Sequence, residues 1–116
     1  MANTLTLGTV TRGNKQFQGI FKEMWHVNAT VTDTDAIALN DTLAMTMAVP
    51  GVALGDVVIG GSVADTLTDG TDQAALTFAV TAANVVTMYL QADKGEFAAD
   101  ALNTAVVKVL VGRPNW

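Results

Sequence analysis

The chain contains few side chains of the kinds that perform catalysis. His26 is its only histidine, Ser62 is its only serine, and there is no cysteine. A serine-type triad needs a nucleophile beside a positioned histidine, and the Gly-x-Ser-x-Gly turn that often carries it does not occur here. A zinc site needs three or four nitrogen or sulfur ligands, which one histidine cannot supply. We therefore interpret His26 as an ordinary strand or interface residue and predict no enzyme activity, no catalytic or metal-binding residues and no cofactor.

Two groups of aspartates raise the question of calcium binding, because calcium prefers clustered oxygen ligands. Neither group has the spacing of an EF-hand loop or of a calcium-binding β-roll repeat. Aspartate, glycine and threonine are also the usual residues of exposed turns, which is the interpretation we favour. The groups are Asp65, Asp69 and Asp72 around Gly70, within a predicted polar loop over residues 65–72, and Asp33, Asp35 and Asp41.

Basic and aromatic side chains are concentrated before the first acidic residue, Glu23. We predict that residues 1–23 form a basic and aromatic arm and that residues 24–116 form the folded domain. Such an arm could dock on an acidic surface, with aromatic anchors supplying much of the binding energy. Alternatively, its cations are solvated in a loop and its aromatic residues pack on the core. The candidate residues for binding a partner surface or another subunit are Arg12, Lys15, Phe17, Ile20, Phe21, Lys22, Arg113 and Trp116.

Apolar and polar residues alternate with period two over most of the chain, which is typical of strands with one buried face. The clearest segments are residues 24–32, 42–49, 75–80, 85–91 and 107–111. An earlier alternation that starts at Leu5 slips at Gly8, which predicts a β-bulge. With about seven or eight short strands and no long helical pattern, the chain is predicted to be all-β. The architecture is an antiparallel β-sandwich or small barrel, of jelly-roll or Ig-like type.

Glycine and asparagine mark several predicted boundaries. Residues 82–84 predict a hairpin in which Asn84 takes a left-handed turn position. The apolar run at residues 57–59 predicts a strand covered on both sides, which residues 60–61 would follow. Residues 112–114 predict the end of the last strand, and residues 97–102 predict a single helical turn.

The composition indicates a protein with a partly covered surface. Half of the 116 residues are hydrophobic and only 15% are charged, and the mean hydropathy is +0.35. Small Ala, Val and Thr residues explain part of this, but we expect some surface to be buried against other subunits, as in a homo-oligomer. The net charge of −5 argues against nucleic-acid binding. No apolar run approaches the roughly 18 residues of a membrane helix, and no leader is recognised, so we expect no membrane association and synthesis in the cytoplasm.

Four segments resemble sequences of small structural proteins of tailed bacteriophages. They are WHVNATV at residues 25–31, VPGVALGDVV at 49–58, LTFAVTAANVVTM at 76–88 and VKVLVGRP at 107–114. The resemblance covers roughly residues 24–114 and excludes the basic arm. It implies a role on the virion surface, in head decoration, in a head fibre or in a tail-associated module.

Our leading hypothesis from the sequence is a capsid decoration, or cement, protein. Many copies would bind the major capsid protein on the outer surface of the virion head, where a homotrimer or other homo-oligomer would bridge neighbouring subunits. Multivalent docking would then raise the barrier to separating the capsid subunits. The alternative is a receptor- or carbohydrate-binding module of a head or tail fibre. A small enzyme, the third class, is disfavoured by the scarcity of His, Ser and Cys.

Overall fold

The alternating segments of the sequence form strands in a computed structural model, which describes residues 4–13, 20–32, 37–38, 40–64, 68–69, 72–94 and 104–115. These residues form eight strands and no helix. None of their segments is a helix long and apolar enough to cross a membrane. The strands are β1 (Thr4–Arg12), β2 (Phe21–Thr32), β3 (Thr42–Ala48), β4 (Val57–Val63), β5 (Thr68–Asp69), β6 (Asp72–Ala82), β7 (Val85–Lys94) and β8 (Val106–Pro114).

The strands are arranged in two four-stranded sheets. The first sheet has the order β1-β2-β8-β4, and the second has the order β3-β7-β6-β5. Every pair of neighbouring strands is antiparallel. The prediction of an all-β antiparallel fold is therefore confirmed, and of the two architectures left open the structure is a β-sandwich. In the first sheet β8 lies between β2 and β4, although it follows both in the sequence.

The core lies between the two sheets, because the apolar residues of each alternating segment face inward. Trp25, Met88 and Leu90 are the largest fully buried side chains. Burying a side chain of this kind contributes roughly 1.5–3 kcal/mol relative to leaving it exposed. The other buried strand residues include Val27, Ala29, Val31, Met45, Met47, Val86, Val107, Val109 and Val111.

The described part of residues 1–23 belongs to the sandwich. Strand β1 pairs with β2 along its length, and the register shifts between Leu7 and Thr9, which confirms the bulge predicted at Gly8. Leu5 and Leu7 pack against the core. The predicted boundary between arm and domain, at residues 23 and 24, falls inside β2. The division was drawn from charge, whereas the alternation of apolar residues decides which segments join the sheet.

Strand β4 differs from its prediction in two respects. It was predicted to be covered on both sides, but it lies at the edge of the first sheet, and Val57 and Ile59 are exposed. It also continues through Gly60 and Gly61, which were predicted to follow it. Gly61 is required inside the strand, because a Cβ atom there would lie 2.5 Å from the ring of Phe78 in the opposite sheet.

The last strand is longer than predicted, and the predicted polar loop contains a short strand. Residues 112–114 were expected to end the chain's last strand, but β8 includes them, because Arg113 pairs with Glu23 and Pro114 with Phe21. Within residues 65–72, β5 pairs with the start of β6. The helical turn predicted at residues 97–102 lies outside the described residues.

Candidate functional site

One end of the sandwich brings together the predicted binding residues that the structure describes. Because β1 and β8 run antiparallel to β2, the end of β1 and the end of β8 lie beside the start of β2. Arg12 and Arg113 therefore lie at the same end of the first sheet as residues 20–22. The structure does not describe Lys15, Phe17 or Trp116.

Both arginines contact the buried Trp25. The Cζ atoms of Arg12 and Arg113 lie 5.0 and 5.1 Å from the centroid of the Trp25 ring. The Trp25 indole Nε1–H donates a hydrogen bond to the carbonyl of Pro50 at 3.1 Å. A guanidinium within about 6 Å of an indole ring is attracted by its quadrupole, an effect worth roughly 0.5–2 kcal/mol according to exposure. Trp25 thus organises this end of the molecule.

Arg113 is held by the carboxylate of Asp56. Its Nε donates to Asp56 Oδ1 at 3.0 Å and its Nη2 to Oδ2 at 2.9 Å. Nη2 also donates to the carbonyl of Gly51 at 2.8 Å, and the backbone N–H of Ala53 donates to Asp56 Oδ2 at 2.8 Å. The pKa of Arg113 is raised by the hydrogen bond from its side chain to Asp56 and by the charge of that carboxylate, which together outweigh partial burial. This arrangement fixes the loop over residues 49–56 on the end of β8.

The same loop is fastened from the second sheet by Asn84. The Gly51 N–H donates to Asn84 Oδ1 at 2.9 Å, and the Asn84 N–H donates to the carbonyl of Val52 at 2.7 Å. Asn84 has a φ of 62°, which confirms the left-handed turn position predicted for it. Gly51 has a φ of 97°, and a Cβ atom there would lie 2.7 Å from Arg12 Nη1. The loop is therefore constrained by both sheets.

The two arginines differ in what they leave available to a partner. Arg113 uses its guanidinium on Asp56, whose side chain is only 4% exposed. Arg12 pairs with Glu23 at 3.4 Å, and its side chain is 47% exposed. Lys22 is also exposed and occupies the register shift between Phe21 and Glu23. Among the described residues, Arg12 and Lys22 are therefore the cations at this end that a partner can reach, whereas Arg113 stabilises the loop.

Exposed apolar side chains surround this end. Leu54 is 70% exposed and Ile20 is 54% exposed, and Val57 and Ile59 at the start of β4 are also exposed. We call these four residues the apolar end. Phe21 and Ile59 lie over Gly112, where a Cβ atom would be 2.6 Å from the Phe21 ring and 2.9 Å from Ile59 Cδ1. The absence of a side chain at position 112 therefore allows both apolar groups to lie flat on the first sheet.

A second surface feature is a groove on the outer face of the first sheet. Its volume is about 500 Å³. The register places Thr9 opposite Asn28, Asn28 opposite Lys108, and Lys108 opposite Ser62. These four residues form one row of hydrogen-bonding side chains across all four strands, which we call the polar row. Side chains directly opposite each other in a sheet have Cβ atoms about 4.5–5.5 Å apart, so the row is continuous.

A second row of residues, next to the polar row, completes the groove. Thr11 pairs with His26, His26 with Leu110, and Leu110 with Gly60. His26 was predicted to be an ordinary strand or interface residue, and the groove was not predicted. The only indication in the sequence was the set of polar residues in each alternating segment. Which of these residues align across the four strands depends on the strand register, which the sequence does not reveal.

The possible calcium ligands are only partly described. No group of three or more His, Asp or Glu side chains within the described ranges is close enough to hold a metal ion. Asp69 and Asp72 are opposite each other in the β5–β6 pair. Asp41 is exposed, whereas Asp33, Asp35, Asp65 and Gly70 lie outside the described residues.

The fold and these surfaces define a small two-sheet antiparallel β-sandwich with one apolar end and one grooved face. Comparisons with protein-family models, with curated proteins and with solved structures found no match to this chain. The fold class therefore rests on the structure, and the resemblance to phage structural proteins stays a prediction.

Proposed function

We propose that the protein is a capsid decoration protein of a tailed bacteriophage, which docks through its apolar end on the outer surface of the head. The observation that carries the proposal is the clustering of exposed apolar side chains. Of the five large hydrophobic residues that are exposed in the described part of the chain, four form the apolar end. The fifth, Val106, lies at the opposite end of β8. Exposed apolar side chains grouped at one end of a molecule mark an interaction surface more often than scattered single residues do.

The loop that carries Leu54 supports docking because it is already held in place. The Arg113–Asp56 pair and the Asn84 side chain fix residues 49–56 before any partner binds. A preorganised surface loses less conformational entropy on association, so more of the burial energy appears as affinity. Arg12 and Lys22 lie at the same end of the molecule and offer cations to an acidic capsid surface.

The proposed mechanism is mechanical and cumulative. Burial of apolar surface contributes roughly 25 cal/mol per Å², and a patch of four side chains is small beside the roughly 800 Å² per partner of a standard interface. Single copies would therefore bind weakly. Many copies, or an oligomer that engages several capsid subunits at once, gain a large effective concentration and resist separation of the shell.

Reconstitution on heads that lack the protein tests the docking surface. We expect Leu54→Ser and Ile20→Ser to lower the occupancy of the heads at least tenfold at a subsaturating concentration, measured by quantitative mass spectrometry of sedimented particles. Val106→Ser is the matched control, since it removes an exposed apolar side chain at the other end. Equal occupancy for all three variants would contradict docking through the apolar end.

A second candidate function is a receptor- or carbohydrate-binding module of a head or tail fibre, and the groove on the first sheet favours it. Copy number separates the two functions. A decoration protein is present in hundreds of copies per head after a high-salt wash, whereas a fibre module is present in few. Fewer than about ten copies per particle would exclude decoration.

A further inference from the structure

The groove has the dimensions and chemistry of a site for an extended polar ligand. Neighbouring strands lie about 4.8 Å apart, so the polar row of Thr9, Asn28, Lys108 and Ser62 spans about 14 Å. Hydroxyl and amide groups in this row can both donate and accept hydrogen bonds, and the Lys108 ammonium donates only. A ligand with many hydroxyl groups matches this mixture.

Gly60 leaves one end of the groove open. It pairs with Leu110 at the edge of the sheet, and a Cβ atom at this position would meet no atom within 4 Å. A large side chain here would therefore project into free space above the second row. Because Gly60 has none, a ligand can lie across Leu110 and His26 beside the polar row.

The charge of the groove is opposite to that of the protein. The chain carries a net charge of −5, yet the groove contains Lys108 and His26, and no Asp or Glu is among the described residues that line it. Within the described ranges, no carboxylate forms an ion pair with Lys108. An exposed ammonium in an otherwise neutral groove attracts an anionic group over a neutral one.

We propose that this groove binds an acidic saccharide, with a sugar carboxylate on Lys108 and the sugar hydroxyls on Thr9, Asn28 and Ser62. Nucleic acid is a poorer match, because its phosphate backbone requires several cations along its path. An extended peptide is also a poorer match, because peptides that add to a sheet use the backbone groups of an edge strand, and this site lies on a face. The inference rests on the second proposed function and gives that function a ligand class.

A matched pair of probes tests the charge requirement. A trimer of galacturonic acid and its fully methyl-esterified form have the same ring skeleton, but only the first carries carboxylates. By isothermal titration calorimetry at low salt, we expect the acid to bind at least tenfold more tightly than the ester. We also expect its affinity to fall as salt is added, since the contact with Lys108 is exposed and screened.

Variants of this chain locate the site. Lys108→Gln should weaken binding of the acid at least tenfold, and Gly60→Val should do the same by filling the open end. Lys22→Gln, which removes a cation at the apolar end, is the control and should bind as the parent protein does. If Gly60→Val fails to fold, Lys108→Gln still tests the location of the site. Substitution of an exposed side chain should leave the fold intact, and an unchanged melting temperature would verify this.

The outcomes separate the ligand class from the general function. Equal binding of acid and ester would overturn the acidic specificity and leave a saccharide-binding module standing. If neither trimer binds, both the acidic specificity and the saccharide-binding function are overturned. Binding of a polyglutamate peptide without binding of the sugar, or full binding by Lys108→Gln, would overturn the site as proposed.

Discussion

The guanidinium of Arg113 forms a two-pronged hydrogen-bonded ion pair with the carboxylate of Asp56, 57 residues earlier in the sequence. The pair joins the last strand of the first sheet to the loop that follows β3, and it lies beside Trp25. Because the Asp56 carboxylate is almost fully buried, loss of its partner would leave a charge without compensation. The pair therefore couples the loop and the strand more tightly than exposed ion pairs do.

The first prediction concerns this pair. Arg113→Ala should lower the free energy of unfolding by about 2–3 kcal/mol. The substitution leaves the buried Asp56 carboxylate without a counter-ion and removes a hydrogen-bond donor to the Gly51 carbonyl. Arg12→Ala is the control, since that arginine also contacts Trp25 but pairs with Glu23 in solvent. It should cost about 1 kcal/mol or less. Urea unfolding measures both, and equal losses would show that Asp56 is not dependent on its partner.

The second prediction concerns pH. The pKa of Arg113 is raised in the folded protein, chiefly by the hydrogen bond to Asp56. A group with a raised folded-state pKa contributes its full stability below the unfolded-state pKa and loses it as the pH rises through the folded-state value. For arginine this window lies in strongly alkaline solution. The difference in unfolding free energy between the parent protein and Arg113→Ala should therefore stay constant from pH 7 to pH 10, and a decline in that range would contradict it.

The third prediction compares two glycines with the same positive φ. Gly51 and Gly55 both have a φ of 97°. A Cβ atom at Gly51 would lie 2.7 Å from Arg12 Nη1, whereas one at Gly55 would meet nothing within 4 Å. Gly55→Ala should cost about 1 kcal/mol from the backbone alone, and Gly51→Ala up to about 1 kcal/mol more, since the flexible end of the Arg12 side chain must also move away from Trp25. Thermal unfolding of the two variants should differ, and matching melting temperatures would mean that the Arg12 contact is unimportant.

The fourth prediction uses the adjacent glycines of β4. Gly61→Ala should destabilise the protein by about 1–3 kcal/mol, because its Cβ would lie 2.5 Å from the Phe78 ring. Gly60→Ala, one residue away on the outer face, meets no atom and should change stability by less than about 1 kcal/mol. Phe78→Leu in the Gly61→Ala background should restore part of the loss. Destabilisation of Gly60→Ala equal to that of Gly61→Ala would contradict the inward orientation of Gly61.

Local signals in the sequence predicted much of the fold. The alternation over residues 42–49 correctly predicted β3, and the slip at Gly8 predicted the observed register shift. Asn84 has the left-handed turn conformation that was predicted for it. Each of these features depends on a few neighbouring residues and on the choice between two faces of a strand. For this reason periodicity and turn chemistry were sufficient to predict an all-β sandwich or barrel.

Features that depend on distant partners were not predicted. The run at residues 57–59 was assigned to a strand covered on both sides, because a continuous apolar run looks the same whether the covering comes from this chain or from another. Gly61 and Gly112 looked like strand ends, yet each lies inside a strand where a ring from elsewhere, of Phe78 or Phe21, occupies the space. A glycine in a strand does not reveal which of these reasons applies.

The candidate surfaces show the same limit. Arg12 and residues 20–22 were grouped because they are close in sequence, and Arg113 was named with them although it is distant in sequence. The antiparallel order β1-β2-β8 explains why the structure brings them together. Asp56 was not singled out, and the polar row was not recognised, because both require contacts between segments more than forty residues apart.

The position of β8 has a consequence for how the protein is made. A ribosome releases β2 and β4 long before β8, and neither of these strands can pair with its native neighbour on that side until β8 has emerged. The β1–β2 and β6–β7 pairs can form during translation, but β4 has no partner in the first sheet until β8 is inserted between it and β2. A nascent chain stalled before residue 106 should consequently be sensitive to protease along β4, and release of the full chain should bring protection of that strand.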